Sequence, residues 1–205
     1  MKKKPLFISF EGGEGSGKSS LVRRLGSSLE AAGHELVLSR EPGGSSLSEK
    51  IRKVLLDSQE PIDPTAELLL FLAARAQHLN ELILPALEDQ KMVLCDRYHD
   101  SSIAYQGIAR GLGLEKVKSL CASTGRWPDL TIYLDLDPKI GIERARNRRA
   151  LDKIESEPIA FHEKIRHGFL DLARQEPKRI FVLDAEQAID AVFEQALSIV
   201  LEHLS

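Results

Sequence analysis

The sequence has few cysteines, few aromatic residues and no long hydrophobic run. Its 205 residues include two cysteines and one tryptophan, and 5% of the side chains are aromatic. Two cysteines cannot hold a disulfide-rich domain together, so we expect Cys95 and Cys121 to be reduced thiols. The longest apolar block, residues 68–74, is far shorter than the roughly 18 residues that a membrane span needs. Disulfide scaffolds and integral membrane proteins are therefore excluded.

An excess of positive charge is also lacking. The chain carries 28 Lys and Arg against 31 Asp and Glu, which gives a formal net charge of −3. Proteins that bind nucleic acid through charge are normally basic, so we expect no nucleic-acid partner. The 42% of hydrophobic and 29% of charged residues are typical of a globular protein, and the length fits one domain better than two.

The start of the sequence superficially resembles a signal peptide. Lysines at positions 2–4 precede a short apolar stretch, but Glu11 and the glycines after it end that stretch at once. We therefore expect a cytoplasmic protein with no membrane partner.

Short apolar runs alternate with helical patterns along the chain. Helices are predicted over residues 19–32, from near Ser48, from Pro64 with Asp63 as N-cap, and after Pro138 and Asp190. Strands that are apolar on both faces and alternate with helices indicate a parallel sheet with helices on both faces. Such sheets bind ligands at the carboxyl ends of their strands. The five predicted strands cover residues 6–10, 35–39, 92–95, 130–134 and 180–183.

A glycine-rich segment, Gly12-Gly13-Glu14-Gly15-Ser16-Gly17-Lys18-Ser19, follows the first predicted strand. It matches the phosphate-loop pattern G-x-x-x-x-G-K-[ST] and lies between a strand and a helix, as that motif requires. The glycines allow backbone N–H groups to surround phosphate oxygens, Lys18 supplies a positive charge and Ser19 a hydroxyl for Mg²⁺. The predicted triphosphate-binding residues are Gly12, Gly13, Gly15, Ser16, Gly17, Lys18, Ser19 and Ser20.

The phosphate loop alone leaves the reaction open. A GTPase needs an Asn-Lys-x-Asp segment, which the sequence lacks, and a motor usually carries Asp-Glu where this chain has Asp96-Arg97-Tyr98. An arginine there suits the binding of a second phosphate. The pattern favours a kinase that acts on a phosphorylated acceptor, and a non-catalytic nucleotide sensor remains the alternative.

Four further segments complete the pattern: residues 40–44 (Arg-Glu-Pro-Gly-Gly), 96–98 (Asp-Arg-Tyr), 105–107 (Tyr-Gln-Gly) and 128–135, which begins Pro-Asp-Leu. In this order they resemble the thymidylate kinase family, from about residue 6 to residue 183. The resemblance implies a five-stranded parallel α/β sheet of the phosphate-loop nucleoside-monophosphate kinase type. It also implies Mg²⁺-dependent transfer of the ATP γ-phosphate to dTMP, giving dTDP, by a homodimer. Another nucleoside-monophosphate kinase, for example one that prefers dUMP, is the alternative within this class.

The resemblance also implies roles for the polar residues at the strand ends. Asp96 would lie beside the phosphates and hold Mg²⁺ together with Ser19. Arg97 and Arg40 would bind the phosphate of dTMP. Glu14, an acid inside the phosphate loop, would accept the 3′-hydroxyl of the deoxyribose. These three dTMP ligands come from three separate segments of the sequence.

Two residues of one predicted helix are expected at the base of dTMP. Phe71 and Arg75 are four residues apart and therefore share a helix face. The resemblance implies that Phe71 lies against the thymine ring and Arg75 at its O4 atom, although Phe71 alone fits the apolar core equally well. The bond between Glu41 and Pro42 is a candidate cis peptide.

A second set, Ser102, Tyr105 and Gln106, has the spacing of one helix face. The resemblance implies that all three bind dTMP. Ser102 would face the pyrimidine edge, and Tyr105 would fill the space that a ribose 2′-hydroxyl needs. Ser101 is the neighbour that could take the place of Ser102.

A cluster of basic residues between positions 144 and 153 is expected to be a lid over ATP. A solvated basic face is the alternative. The resemblance implies that Arg144 binds ATP and that the chain is a single kinase domain, residues 1–205, with a lid at about 144–156. Since the loop carries Gly15 where some family members have arginine, the catalytic arginine is expected in the lid. Arg148 is the best match and Arg149 the alternative, and partial rescue of Arg148→Ala by Gly15→Arg would support a lid arginine.

Overall fold

The structure is a computed structural model that describes residues 5–58, 60–147 and 152–204. Five strands form a single parallel sheet in the order β2-β3-β1-β4-β5. This confirms the predicted sheet. The strands are β1 (Phe7–Gly12), β2 (Leu36–Arg40), β3 (Met92–Asp96), β4 (Leu130–Asp135) and β5 (Ile180–Asp184).

The helices cover both faces of this sheet. Two π-helical segments interrupt them: Leu79–Ile83 joins α3 to α4, and Ile103–Ala109 continues α5. Within the described residues the helices are α1 (Lys18–Ala31), α2 (Ser46–Asp57), α3 (Pro64–His78), α4 (Leu84–Glu88), α5 (His99–Ser102), α6 (Leu114–Ser123), α7 (Pro138–Arg146), α8 (Ile159–Gln175) and α9 (Ile189–Leu204).

Side-chain caps fix where several helices begin. Asp63 accepts hydrogen bonds from the backbone of Thr65 and Ala66, which confirms it as the N-cap of α3. Ser45 caps α2, so this helix begins at Ser46 rather than near Ser48. In both cases an oxygen satisfies N–H groups that have no partner inside the helix.

The central strand β1 is buried along its whole length. Ile8 and Phe10 point to one side and pack with residues of α1 and α9, including Phe193. Phe7 points to the opposite side and packs with Val93 and the segment after α3. Because consecutive side chains of a strand face opposite layers, a strand with helices on both sides is apolar at nearly every position.

Each strand continues one or two residues beyond its predicted end. Arg40 is paired in register with Asp96, and Asp96 also lies opposite Phe10 of β1. The parallel ladder therefore carries polar residues from separate parts of the sequence to the same edge of the sheet. This edge positions the site described below.

A charged network joins three elements on one side of the sheet. Arg179, just before β5, donates two hydrogen bonds of 2.7 and 2.8 Å to the buried carboxylate of Asp100. It also donates to the hydroxyl of Thr131 at 2.8 Å and to Glu176, directly after α8, at 2.7 Å. A planar guanidinium can bridge these groups at once, so Arg179 links α5, β4 and α8.

Both cysteines are buried and unbonded to each other, as expected. Burial raises the thiol pKa of Cys95 and of Cys121. Cys95 packs in the cluster that contains Phe7, whereas Cys121 packs in the cluster that contains Phe169. In the part of the chain that the structure describes, no helix is long and apolar enough to cross a membrane.

Candidate active site

A cavity of about 470 Å³ lies at the carboxyl edge of the sheet. This is where doubly wound parallel sheets bind their ligands. Its walls come from the phosphate loop, from the ends of β2 and β3, and from α2, α3 and the turns after α5. The residues predicted for the site that line it are Glu14, Gly15, Ser16, Gly17, Lys18, Ser19, Ser20, Arg40, Phe71, Arg75, Asp96, Arg97, Ser102, Tyr105 and Gln106.

The phosphate loop wraps around the side chain of Lys18. Its ammonium donates hydrogen bonds to the carbonyl oxygens of Gly12 at 2.9 Å and Gly13 at 2.7 Å. Gly17 has a φ of 94°, which a residue with a side chain rarely adopts, and it places α1 directly behind the loop. Burial and the nearby charge of Arg97 lower the pKa of Lys18 to about 8.

Gly15 is enclosed by the first turn of α7. A Cβ atom on Gly15 would overlap the carbonyl oxygen of Gly141, and a Cβ atom on Gly141 would overlap the carbonyl oxygen of Glu14. The loop and α7 thus touch backbone to backbone. An arginine introduced at position 15 would therefore require the loop and the helix to separate.

Two hard oxygen donors meet beside the loop. The hydroxyl of Ser19 donates a 2.5 Å hydrogen bond to the carboxylate of Asp96. Mg²⁺ in nucleotide sites is typically held by one or two protein oxygens, with water and phosphate oxygens completing its shell. The residues expected to hold Mg²⁺ are therefore of the right chemistry and next to each other.

Arg97 connects the phosphate loop with the wall of the cavity that contains Tyr105. Its guanidinium donates to Glu14 at 2.6 Å and to the carbonyl of Gly12 at 3.0 Å, and it lies 5.0 Å from the ring centre of Tyr105. Burial alone would raise the pKa of Glu14, but the charges of Arg97 and Lys18 outweigh it and lower this pKa to about 2. Glu14 is thus an ionised hydrogen-bond acceptor in the cavity lining.

Two further arginines border the same cavity. Arg40 lies within 3.2 Å of both carboxylate oxygens of Glu49, and Arg52 donates to the carbonyl of Pro42 at 2.8 Å. Burial and the like charges of Arg40 and Arg97 lower the pKa of Arg52. Guanidinium groups that border one cavity form a site for an anion. Arg52 was not predicted, because no motif marks its place on α2.

The loop after β2 is anchored by a buried acid. The Glu41–Pro42 peptide bond is cis, as predicted. Glu41 accepts a 2.7 Å hydrogen bond from Arg75 and lies 3.0 Å from a ring nitrogen of His78. Arg75 also donates to the carbonyl of Tyr98 at 3.0 Å, so its guanidinium is held rigidly in the cavity wall.

Ser101 and Ser102 differ in what their hydroxyl groups contact. Ser101 donates to the buried acid Glu11 at 2.5 Å. The hydroxyl of Ser102 is buried, lines the cavity and has no hydrogen-bond partner among the described residues. An unpaired buried hydroxyl is costly unless a ligand satisfies it. Of the two serines, Ser102 is therefore the one whose hydroxyl is available to a ligand in the cavity.

Tyr105 and Gln106 lie in the π-helical segment after α5. The Tyr105 hydroxyl donates to Glu14 at 3.1 Å, and its ring contacts Phe161 and Phe169 of α8 edge-on. The Gln106 amide donates to Glu67 at 2.8 Å. Both side chains are thus fixed before any ligand binds.

A second cavity of about 270 Å³ lies on the other side of the phosphate loop. It is bordered by Ser16, Gly17, Arg144 and Gln187. Arg144 therefore borders this cavity and is absent from the lining of the larger one. Gln187 was not predicted, although it follows β5 at the edge where the other strands end.

The predicted lid is described only in part. Helix α7 ends at Arg146, and the chain is described again from Asp152, which borders the larger cavity together with Ile154 and Glu155. Arg148 and Arg149 lie outside the described residues.

A parallel sheet of this strand order, with a phosphate loop and a second anion site across one cavity, defines a phosphate-loop nucleoside-monophosphate kinase fold. The family model for thymidylate kinase matches residues 10–196. The chain belongs to the thymidylate kinase family.

Named relatives are similar over nearly the whole length. The thymidylate kinase of Protochlamydia amoebophila is 47% identical over 215 aligned positions, which cover 100% of this chain and 96% of that protein. The thymidylate kinase of Syntrophotalea carbinolica is 51% identical over 195 positions, covering 91% of this chain and 90% of that protein. The crystal structure of thymidylate kinase from Ehrlichia chaffeensis superposes with a TM-score of 0.81 at 31% identity, covering 97% of this chain and 99% of that one.

Proposed function

We propose that this chain carries out the reaction of its family, the phosphorylation of dTMP by ATP to give dTDP, in the larger cavity. The lining of the larger cavity is the observation that supports this assignment. A phosphate loop borders one end of the cavity, and its lining also includes five arginines together with Phe71 and Tyr105. Such a cavity offers one anion site for a donor and a second, next to an aromatic wall, for a nucleoside monophosphate.

The donor side is assigned to the phosphate loop and the smaller cavity. Lys18 now bonds the Gly12 and Gly13 carbonyls, and it would exchange these for oxygens of the triphosphate. The base of ATP would occupy the smaller cavity beside Arg144. Ser19 and Asp96 would hold Mg²⁺, which when bound offsets the negative charge of the phosphates.

The acceptor side is assigned to the arginines and the aromatic wall. Arg97 and Arg40 would bind the phosphate of dTMP, and Arg52 joins them because it borders the same space. The ionised Glu14 would accept a hydrogen bond from the 3′-hydroxyl of the deoxyribose. The Tyr105 ring, fixed by its hydroxyl on Glu14, would exclude a ribose 2′-hydroxyl.

The base is assigned to the far end of the cavity. Phe71 would stack on the thymine ring, Arg75 would donate to its O4 atom, and the unpaired hydroxyl of Ser102 would face its edge. Gln106 completes this wall.

In the transfer step an oxygen of the dTMP phosphate attacks the γ-phosphorus of ATP. The bond between that phosphorus and the bridging oxygen to the β-phosphate breaks, and ADP leaves. The attacking oxygen is already ionised at neutral pH, so the step needs no general base. Lys18 and Arg97 supply positive charge where negative charge develops, which is the main protein contribution to phosphoryl transfer.

A further cation is proposed from the lid on sequence grounds. The loop offers glycine at position 15, so Arg148, or its neighbour Arg149, would supply a guanidinium at the moment of transfer. We also propose a lid over residues 144–156 within a single kinase domain.

We also propose that the protein is a homodimer and lies in the cytoplasm. Leu47, Val54 and Leu69 on α2 and α3 are between 46% and 55% exposed, which supports these helices as the surface of a homodimer. Two buried thiols without a disulfide support the reducing environment of the cytoplasm.

The function is tested by coupled ADP release with dTMP, dUMP, dCMP, dAMP and dGMP as acceptors. We expect the highest kcat/KM with dTMP and a preference over dUMP of roughly tenfold or more, because one methyl group separates the two. A higher value with dUMP would contradict the assignment, and no turnover with any acceptor would favour a nucleotide sensor.

Two sets of variants test the residues in the same assay. Lys18→Met is expected to lose roughly 10²–10³-fold in kcat while retaining its fold. Arg148→Ala is expected to lower kcat far more than it raises the KM for dTMP, and Arg149→Ala is its matched control. Near-normal kcat in both lid variants would reject a lid arginine.

A further inference from the structure

Glu67, a buried acid behind the cavity wall, contacts a residue of the proposed acceptor site. It lies on α3 one turn before Phe71, on the same helix face, and is 4% exposed. One of its carboxylate oxygens accepts the 2.8 Å hydrogen bond from Gln106. Glu67 is absent from the lining of the cavity, so its influence on a ligand must pass through Gln106.

Arg110 holds Glu67 in place. It approaches the two carboxylate oxygens of Glu67 at 3.3 and 3.2 Å and donates to Glu157 at 2.5 Å. A carboxylate that faces a guanidinium can only accept hydrogen bonds. The Gln106 amide must therefore direct its NH₂ group toward Glu67, and its carbonyl oxygen points away from Glu67.

Gln106 itself is almost fully buried and lines the cavity. Its amide nitrogen donates a hydrogen bond to Glu67, while its carbonyl oxygen accepts no hydrogen bond from the described residues. The group left for a ligand is thus an acceptor. A bound base is favoured if it presents an N–H group there.

We propose that Glu67 is a positioning residue that fixes the Gln106 amide as an acceptor and so selects pyrimidines with a protonated N3 atom. Thymine and uracil carry an N3–H donor, whereas N3 of cytosine has only a lone pair, which the Gln106 oxygen repels. The inference rests on the proposed acceptor site and adds the group that sets the direction of its amide.

The test is the substitution Glu67→Gln, which lets the Gln106 amide turn because the new side chain can donate as well as accept. The ligands are dTMP and 5-methyl-dCMP, which share the methyl group and differ at N3 and the 4-substituent. Calorimetry gives the ratio of their Kd values, and ADP release gives kcat and KM for dTMP. We expect the Kd ratio to fall by roughly tenfold or more, with the KM for dTMP raised and kcat little changed.

Two further variants separate positioning from a general loss of structure. Arg110→Lys keeps a positive charge beside Glu67, so its Kd ratio is expected to stay within roughly twofold of the parent. In a Gln106→Leu background, Glu67→Gln is expected to have no further effect on the ratio, because the residue through which it acts is gone. Thermal unfolding of each variant reports whether the fold is retained.

The outcomes distinguish this inference from the proposed function. If the parent protein phosphorylates dTMP but Glu67→Gln leaves the Kd ratio unchanged, Glu67 is not a positioning residue. If Glu67→Gln does not fold, the Gln106→Leu variant decides, and an unchanged ratio there overturns the inference. If the parent does not phosphorylate dTMP, the proposed function fails and this inference fails with it.

Discussion

Among single residues, Glu11 is a completely buried acid on the strand that leads into the phosphate loop. Its two oxygens accept from the backbone of Tyr98 at 2.7 Å and from Ser101 at 2.5 Å. Burial, and next the charge of Asp100, raises the pKa of Glu11 to about 7. Arg97 works in the opposite direction but does not cancel this effect.

This raised pKa predicts how stability depends on pH. Between its ordinary pKa of 4.5 and about 7 the folded protein keeps a proton on Glu11 that the unfolded chain has lost. The contribution of Glu11 to stability is therefore fully present below the lower value and is lost as pH rises through this window. Glu11→Gln has no proton to lose, so its free energy of unfolding should rise relative to the parent from about pH 5 to about pH 8.

Urea unfolding of both proteins at several pH values measures this difference. Glu30→Gln, a change at an exposed acid, is the control and should show no comparable trend. A difference between Glu11→Gln and the parent that does not vary with pH would show that Glu11 is ionised throughout.

The sequence predicted those site residues that belong to a motif with its own chemistry. Lys18 and Asp96 follow strands in recognisable patterns, and the structure brings both to one cavity. Arg52, Glu67 and Glu11 were not predicted to have roles, because no motif marks these positions. Their functions depend on the packing and not on the local residue pattern.

At the scale of helices and strands, the contact between α7 and the phosphate loop allows no side chain. Alanine in place of glycine inside a helix usually stabilises it by about 1 kcal/mol. At Gly141 the added carbon would overlap the carbonyl of Glu14, and overpacking of this kind costs about 1–3 kcal/mol.

Gly141→Ala is therefore expected to lower Tm and to raise the KM for ATP, since the loop must shift. Differential scanning calorimetry and steady-state kinetics measure the two effects. Gly26→Ala in α1 is the matched control, because its Cβ would meet only the flexible side chain of Leu38, at 2.9 Å. Equal behaviour of the two variants would mean that α7 readily moves away from the loop.

Secondary-structure elements were predicted correctly where their apolar residue pattern was simple. All five strands were predicted, and each prediction ends one or two residues early, since pairing continues into the polar residues at the carboxyl ends of the strands. The long helix α8 was missed even though Phe161, Ile165, Phe169 and Leu172 mark a helical face. The π-helical segments give no comparable signal, because their extra residue per turn is a response to tertiary packing.

At the scale of the whole molecule, Arg179 joins parts of the chain that are distant in sequence. Its removal would leave the carboxylate of Asp100, 1% exposed, without this ion pair and with the hydrogen bond from the Thr131 hydroxyl at 3.0 Å. Breaking a buried ion pair from one side typically costs about 3–5 kcal/mol.

Arg179→Ala is accordingly expected to lower the free energy of unfolding by about that amount, with a smaller loss for Arg179→Lys. Urea denaturation at neutral pH provides the measurement. Arg174→Ala breaks a pair with Asp171 whose side chains are 73% and 52% exposed, and it should change stability by less than about 1 kcal/mol. If Arg179→Ala is as mild as this control, the network adds little to the fold.

The reactivity of the two buried thiols can be used to measure local unfolding of the molecule. A thiol reagent reacts only with an exposed thiolate, so Cys95 and Cys121 become labelled only when the clusters around them open. They belong to different hydrophobic clusters. The ratio of their labelling rates in native buffer therefore shows whether these clusters unfold in one cooperative event or separately. No additional cysteine has to be introduced for this measurement.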